Sequence, residues 1–177
     1  MTLRPALALA TALAVAAPLT APQIAWAAAP QPTKPVAASF YSGRWYEIAR
    51  IPNAGQRDCQ APYTQFTTGG AGAFQVSQIC RQGSPAGKAR TFNTKGRVLP
   101  GANNAKFEMS FLGGMKKQEY WVLDCAADGS WAIMATPGGN YIWLLSRKEA
   151  VTQAVRDALV ARIRALGYGQ KLEFPAH

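Results

Sequence analysis

The sequence predicts an all-β domain with one helix at its C-terminal end, and three observations support this. Eight short runs rich in β-branched and aromatic residues begin at residue 44, turn clusters separate them, and no helical periodicity occurs between them. The chain has 177 residues, which is the length of a single domain. Strands at this spacing are typical of an antiparallel sandwich or an up-and-down barrel. The runs are 44–51, 62–67, 73–81, 88–98, 106–112, 118–125, 131–136 and 141–147.

The segments between the runs have the chemistry of tight turns. Glycine supplies positive φ there, proline presets φ, and asparagine accepts left-handed backbone, so each segment has a physical reason to reverse the chain. The segments are TTGGAG (67–72), GSPAG (83–87), PGANN (100–104), GGMKK (113–117), AADG (126–129) and PGGN (137–140).

The last part of the domain has helical instead of strand periodicity. In KEAVTQAVRDALVARIRAL (148–166) apolar residues recur at steps of three and four, and Gly167 stands at the natural C-cap. The pattern predicts one amphipathic helix packed against the outside of the sheet by a single stripe.

Composition argues against several kinds of chemistry. The only histidine is His177, and the three cysteines have no C-x-x-C spacing, so no metal site and no cofactor is expected. The formal charge of +10 comes with only 16% charged residues, while 49% apolar residues supply a core.

The first residues have the pattern of an export signal. Residues 1–27 contain one charge, Arg4, then an Ala/Leu/Val run and small residues at 25 and 27, which predicts a signal peptide. Pro18 and Pro22 interrupt the run and argue against a membrane-spanning anchor. Residues 28–39 are expected to form a flexible leader, and 40–177 the folded domain. We expect a periplasmic or secreted protein without a lipid anchor, because no cysteine lies near the cleavage site.

Three motifs in order resemble those of the lipocalin family. GRWYEIAR (43–50) is similar to the family's G-x-W-Y signature in the form found in bacterial lipocalins and the apolipoprotein D-like branch. YWVLD (120–124) resembles the sixth-strand motif, and YIWLLSR (141–147) resembles the last strand, which ends in an arginine before the helix. The resemblance covers 40–174 and implies an eight-stranded antiparallel up-and-down barrel with one C-terminal helix outside.

This topology assigns roles to the ends of the barrel. Strand 1 starts where strand 8 finishes, so Trp45 and Arg147 should meet, with the guanidinium on the indole face. The resemblance implies that they form the closed, structural floor. The loops 52–61, 82–87, 113–117 and 137–140 then lie at the open end. Cations outnumber acids there, which suits an anionic head group; they are Arg57, Arg81, Lys88, Lys116 and Lys117, against Asp58 and Glu119.

Candidate ligand contacts follow from strand alternation and the resemblance. Tyr141 and Trp143 share a face of strand 8 with Arg147, and in bacterial lipocalins this tryptophan lines the lipid pocket. Glu47 and Ala49 share parity with Trp45, so Glu47 is either a polar anchor for the ligand or a structural hydrogen-bonding group, and the structural role is preferred. The remaining candidates, whose facing the sequence leaves open, are Phe107, Met109, Phe111 and Trp131, with Lys116 at the mouth.

Two of the cysteines are predicted to form a disulfide. The hairpin between strands 2 and 3 turns at residues 69–71, so paired residue numbers should sum to about 140, and Cys59 and Cys80 come close to that sum. Cys125 ends strand 6 near the floor and should remain unpaired.

The leading hypothesis is therefore a carrier of one small hydrophobic or amphipathic ligand, a fatty acid or a lysophospholipid. The alternative is a lipocalin-type enzyme, an isomerase acting on a lipid in the same cavity, although no catalytic residue is expected. A pigment carrier and peripheral contact with an anionic membrane stay open, whereas nucleic acid is not an expected partner. A monomer or a dimer is expected.

Overall fold

The structure, a computed structural model, describes residues 27–177, so all but the last residue of the predicted signal peptide lies outside the described residues. Eight antiparallel strands, each hydrogen-bonded to the next and the eighth to the first, form a closed up-and-down barrel, which confirms the predicted fold class. They are β1 (Gly43–Arg50), β2 (Cys59–Gly70), β3 (Ala73–Gln82), β4 (Ala89–Val98), β5 (Lys106–Phe111), β6 (Lys116–Cys125), β7 (Trp131–Ala135) and β8 (Ile142–Ser146). One helix follows, α1 (Gln153–Ala165).

The boundaries of two elements, β2 and α1, differ most from the prediction, and those of the other strands differ by no more than two residues. β2 starts three residues earlier and ends three later than predicted, and it joins β3 through Ala71 and Gly72, whose φ values of 48° and 76° form a tight turn. α1 begins five residues late because the Thr152 hydroxyl accepts a hydrogen bond from the Val155 backbone N–H and so caps the helix there.

The strands place their side chains in two separate apolar clusters. Outward-facing residues such as Ile48, Ile133 and Leu144 pack under α1, which contributes Leu159 and Ile163. The inward-facing cluster is dominated by aromatic rings and fills the lower part of the barrel. Its largest members are Trp45, Phe66, Phe74 and Phe107, joined by Phe40 and Tyr41 from the segment before β1.

The barrel has an open and a closed end. We call the end formed by the loops 51–58, 83–88, 112–115 and 136–141 the mouth, and the opposite end the floor. A single 3-10 turn, Ala38–Tyr41, inserts Phe40 and Tyr41 under the barrel, where Tyr41 stacks on Phe74 at 5.0 Å between ring centroids. The floor is therefore closed by aromatic side chains.

The segment expected to be a flexible leader makes specific contacts with the barrel. The backbone N–H of Ala29 donates to the Pro137 carbonyl, Lys34 Nζ lies 2.5 Å from Asp124 Oδ1, and Asn104 Nδ2 donates to the Val36 carbonyl. Ala29 and Val36 are buried against the barrel, whereas most of the residues between them are exposed.

The chain ends in a strap that fills a gap in the barrel wall. β1 pairs with β2 only from Gly43 to Tyr46, so the upper halves of these two strands are apart. Residues 172–177 lie between them: Glu173 exchanges two backbone hydrogen bonds with Arg50, and the Ala61 N–H donates to the Ala176 carbonyl. We call residues 172–177 the C-terminal strap.

Candidate ligand-binding site

The interior of the barrel holds a cavity of about 640 Å³ that opens toward the mouth. This volume lies within the range of pockets that hold small molecules. Strand direction places its apolar wall, which includes Phe66, Phe107 and Leu145, toward the floor. The polar residues Gln56 and Arg90 lie at the mouth, and Thr64 and Gln78 line the cavity from the middle of β2 and β3.

Four of the predicted ligand contacts line this cavity: Glu47, Phe107, Met109 and Trp143. Trp143 projects from β8 near the mouth, where its indole Nε1 donates to Gln56 Oε1 at 2.9 Å. Phe107 and Met109 are two residues apart on β5, so both side chains point to the same face of the strand, which is the inward one.

The other four predicted contacts are absent from the cavity wall, each for a local reason. Tyr141 precedes the first residue of β8, so the pleat does not direct it inward, and it packs on the cluster under α1. Phe111 ends β5 and stacks on Phe92 at the rim, with 5.8 Å between ring centroids. Trp131 starts β7 at the floor end and also packs on the α1 cluster, whereas Lys116 is exposed at the start of β6.

A network of charged and polar side chains lies between the cavity and the barrel wall. Arg50 is fully buried; its Nη1 lies 2.6 Å from Glu47 Oε1, and its Nη2 lies 2.8 Å from Glu173 Oε1 of the C-terminal strap. Gln56 donates from Nε2 to Glu47 Oε2 at 2.6 Å and accepts from Trp143. Burial raises the pKa of the Glu47 carboxyl, and Arg50 and Gln56 oppose that rise. Glu47 is therefore held in a structural network, as the sequence favoured.

A β-bulge explains why two residues three apart share the inward face. The register between β1 and β8 shifts between Glu47, opposite Leu145, and Ala49, opposite Leu144. Beyond the bulge the alternation is reversed, so Arg50 turns inward. The expected parity of Ala49 with Trp45 is therefore wrong, and Ala49 packs in the outer cluster.

Sequence reasoning missed several residues of the site. Arg50 lies in the GRWYEIAR motif (43–50), but strict alternation along β1 places its side chain on the opposite face from Trp45 and Glu47. Gln56 lies on the loop after β1, whose path the sequence does not specify. Arg90 lines the mouth from the second residue of β4, where its Nη2 donates to the Gly55 carbonyl at 3.0 Å. Tyr120 faces the cavity from β6, and burial raises its pKa to about 12.

The floor contains the expected contact between Trp45 and Arg147. The Arg147 Cζ lies 3.7 Å from the centroid of the Trp45 ring, and the guanidinium donates to the carbonyls of Ser39, Ser42 and Arg44. These contacts tie the start of β1 to the end of β8, as a structural floor requires.

The two cysteines predicted to pair are both free thiols in the structure, and the predicted register is wrong. Cys59 lies opposite Gln82 instead of Cys80, because the hairpin turns at Ala71 and Gly72, later in the chain than the expected 69–71. Both cysteines are nevertheless buried in the cavity wall, and burial and hydrogen bonding with Cys80 raise the pKa of Cys59. The thiols are therefore neighbours, and the disulfide stays a prediction.

We expect Cys59 and Cys80 to form a disulfide under oxidising conditions that stabilises the fold by about 3 kcal/mol, as a loop of this length predicts. Thiol counting in denaturant should give one reactive thiol per chain before reduction and three after it. The Cys125→Ser variant should give no reactive thiol before reduction and two after it, and its melting temperature should equal that of the wild type. Three reactive thiols in the oxidised wild type would contradict the prediction.

The described residues lack two further features, a membrane-spanning helix and a metal-binding cluster. Among residues 27–177 no helix is long and apolar enough to cross a bilayer. The same part of the chain holds no group of three or more His, Cys, Asp or Glu side chains placed to bind a metal ion.

The fold and the cavity together define a β-barrel that encloses a small-molecule pocket, and comparison with known proteins specifies the class. Residues 36–177 match the family model of the lipocalin-like domain, so the chain belongs to the lipocalin family, whose members bind small hydrophobic ligands.

Individual relatives agree with this assignment. The chain is 24% identical over 145 residues to the outer membrane lipoprotein Blc of Vibrio cholerae, covering 78% of this chain and 82% of that protein. It is 26% identical over 138 residues to temperature-induced lipocalin-1 of Arabidopsis thaliana, covering 72% of each. The structure of insecticyanin from the tobacco hornworm Manduca sexta shares the fold, with a TM-score of 0.65 at 18% identity over 83% of this chain and 84% of that one.

Proposed function

We propose that this lipocalin binds and carries one amphipathic lipid, a fatty acid or a lysophospholipid, in the barrel cavity. The supporting observation is a cavity whose deep part is apolar and whose mouth presents a guanidinium. Arg90 lines the mouth and forms no ion pair with an acidic side chain of the described residues. An acyl chain would lie along Phe66, Phe107 and Leu145, with an anionic head group at Arg90.

The energetics of burial are sufficient for such a carrier. A chain of ~16 carbons at ~0.8 kcal/mol per CH₂ supplies up to roughly 12 kcal/mol before entropy and imperfect packing reduce it. Burial of the acyl chain alone can therefore supply micromolar or tighter affinity. Trp143 lies in the cavity wall and reports occupancy by its fluorescence.

The first test is native mass spectrometry of the mature protein purified from its host, with extraction and identification of bound lipid. A fatty acid or lysophospholipid present at one per chain would support the proposal. An empty protein whose tryptophan fluorescence does not respond to either lipid would contradict it.

Replacing Arg90 by glutamine should weaken binding of an anionic lipid about tenfold, because one charge-assisted hydrogen bond is lost at a partly exposed site. Fluorescence titration with a fatty acid and with the corresponding uncharged alcohol measures this, since the alcohol should bind both proteins equally. Arg97→Gln, on the same strand but outside the cavity wall, is the matched control. If Arg90→Gln weakened the binding of the fatty acid and of the alcohol equally, Arg90 would have no role in recognising the head group.

The enzyme alternative has less support. Burial raises the pKa of Cys59, which favours the neutral thiol over the nucleophilic thiolate. Cys125 lies at the end of β6, and its pKa is raised by burial and by Asp124. We therefore propose carriage without catalysis, by an exported protein that acts in the periplasm and meets an anionic membrane peripherally.

A further inference from the structure

The mouth of the barrel exposes an unusual group of apolar side chains. Leu112 is 66% exposed, Met115 84% and Phe92 44%, and these are three of the five large hydrophobic side chains exposed among residues 27–177. Leu112 and Met115 belong to the loop that joins β5 to β6. The other two exposed side chains are Val155 on α1 and Phe174 on the C-terminal strap, where the Arg156 guanidinium lies 5.1 Å from the Phe174 ring centroid.

The backbone of this loop holds its apolar side chains outward. Leu112, Gly113 and Gly114 have φ values of 51°, 68° and 105°, so the chain turns sharply without folding back on the barrel. A non-glycine residue with positive φ is uncommon, and for Leu112 it costs free energy. The loop is continuous with the cavity, because Phe111 stacks on Phe92, which lines the cavity mouth.

Cations flank these apolar side chains. Lys116 and Lys117 begin β6 directly after the loop, and on the neighbouring strand Arg90 lies at the mouth end of β4, with Lys88 just before it. Lys117 is partly neutralised by Glu108, 3.2 Å from its Nζ. An exposed apolar tip flanked by cations complements a surface that is apolar within and negatively charged outside, which is the cross-section of an anionic lipid leaflet.

We propose that residues 111–117 and Phe92, which we call the docking tip, bind the barrel mouth to an anionic phospholipid membrane. Leu112 and Met115 enter the interface while Lys116 and Lys117 lie at phosphate level. The cavity mouth then faces the lipid, so an amphipathic ligand passes between membrane and barrel with its chain shielded from water. The inference rests on the proposed lipid carriage and names the surface at which that carriage begins.

The test is flotation of the full protein with vesicles of phosphatidylcholine alone and of phosphatidylcholine mixed with phosphatidylglycerol. The wild type should bind the mixed vesicles more tightly and should lose binding as salt rises. The variant L112N/M115Q removes the apolar side chains, and asparagine accepts the left-handed backbone at position 112. It should bind the mixed vesicles at least about tenfold more weakly.

Two controls separate the tip from the rest of the surface. V155Q removes an exposed apolar side chain on α1 and should bind like the wild type. K116Q/K117Q should weaken binding about tenfold or more, whereas K148Q/K171Q, with the same loss of charge elsewhere, should have a much smaller effect. Equal effects of the two lysine pairs would overturn the proposal, because they would show a response to net charge alone.

Titration with a soluble, monomeric lysophospholipid tests the cavity separately, and L112N/M115Q should bind it like the wild type. If the wild type takes up neither lysophospholipid nor fatty acid but its vesicle binding depends on the tip, lipid carriage is wrong and docking stands. If the wild type does not bind mixed vesicles, or L112N/M115Q binds them unchanged, docking is overturned. A change of oligomeric state in L112N/M115Q without vesicle binding by the wild type would instead assign the tip to self-association.

Discussion

Replacement of Arg50 by methionine is expected to destabilise the fold by about 3–5 kcal/mol, because it leaves the buried Glu47 carboxylate without its cation. The melting temperature should fall by about 6–20 °C for a domain of this size. Thermal and chemical unfolding monitored by circular dichroism measure both quantities.

A second substitution separates the effect of the unpaired Glu47 carboxylate from the loss of packing around Arg50. Glu47→Gln removes the uncompensated acid, so the double variant E47Q/R50M should be at least about 1 kcal/mol more stable than R50M. Arg97→Met, at an exposed arginine 3.5 Å from Glu108, should cost no more than about 1 kcal/mol. A double variant less stable than R50M would show that Glu47 stabilises the barrel independently of Arg50.

Replacement of Phe107 by alanine is expected to cost about 3–5 kcal/mol, because the ring is fully buried and its loss leaves a void. Phe107 stacks on Tyr120 at 5.4 Å and contacts Tyr41, Phe66 and Phe74 edge-on. The same change deepens the cavity at its floor end. If an acyl chain occupies it, the variant should shift its preference toward longer chains.

Unfolding measurements and titration with fatty acids of increasing length test these two effects separately. Phe174→Ala, which truncates a ring that is 45% exposed, should cost less than about 1 kcal/mol and leave the length preference unchanged. An unchanged preference in Phe107→Ala would mean that the ligand does not reach the floor of the cavity.

The sequence predicted the eight strands well because its signals are local and repeated, and the resemblance of three motifs to the lipocalin family implied a barrel instead of a sandwich. Alternation and turn chemistry mark each strand separately, so an error of a few residues at the ends of β2 or α1 does not alter the topology. Phe107 and Met109 could be named as candidates because both lie inside a regular strand, but alternation alone left open which face of that strand is inward.

The polar part of the site could not be predicted because it depends on departures from regularity. The bulge after Glu47 turns Arg50 inward, and nothing in strict alternation indicates where a bulge falls. The β2–β3 hairpin turns at Ala71 and Gly72, later than the turn residues indicated, and this shift displaced the expected partner of Cys59. Tyr141, Phe111, Trp131 and Lys116 all lie at or just outside a strand end, where the pleat no longer determines the direction of a side chain.

The C-terminal strap has a consequence for the order in which the barrel forms. The upper half of β1 pairs with β8 and with Glu173, and Arg50 reaches a carboxylate 123 residues further along the chain. Glu47 is close to Arg50 in the chain, but the second carboxylate partner of Arg50, Glu173, is synthesised only when almost the whole chain is complete. Because contacts so distant in sequence form slowly, closure of the barrel should be the late step of folding. Until then the interior that later receives a ligand is open to solvent along one side.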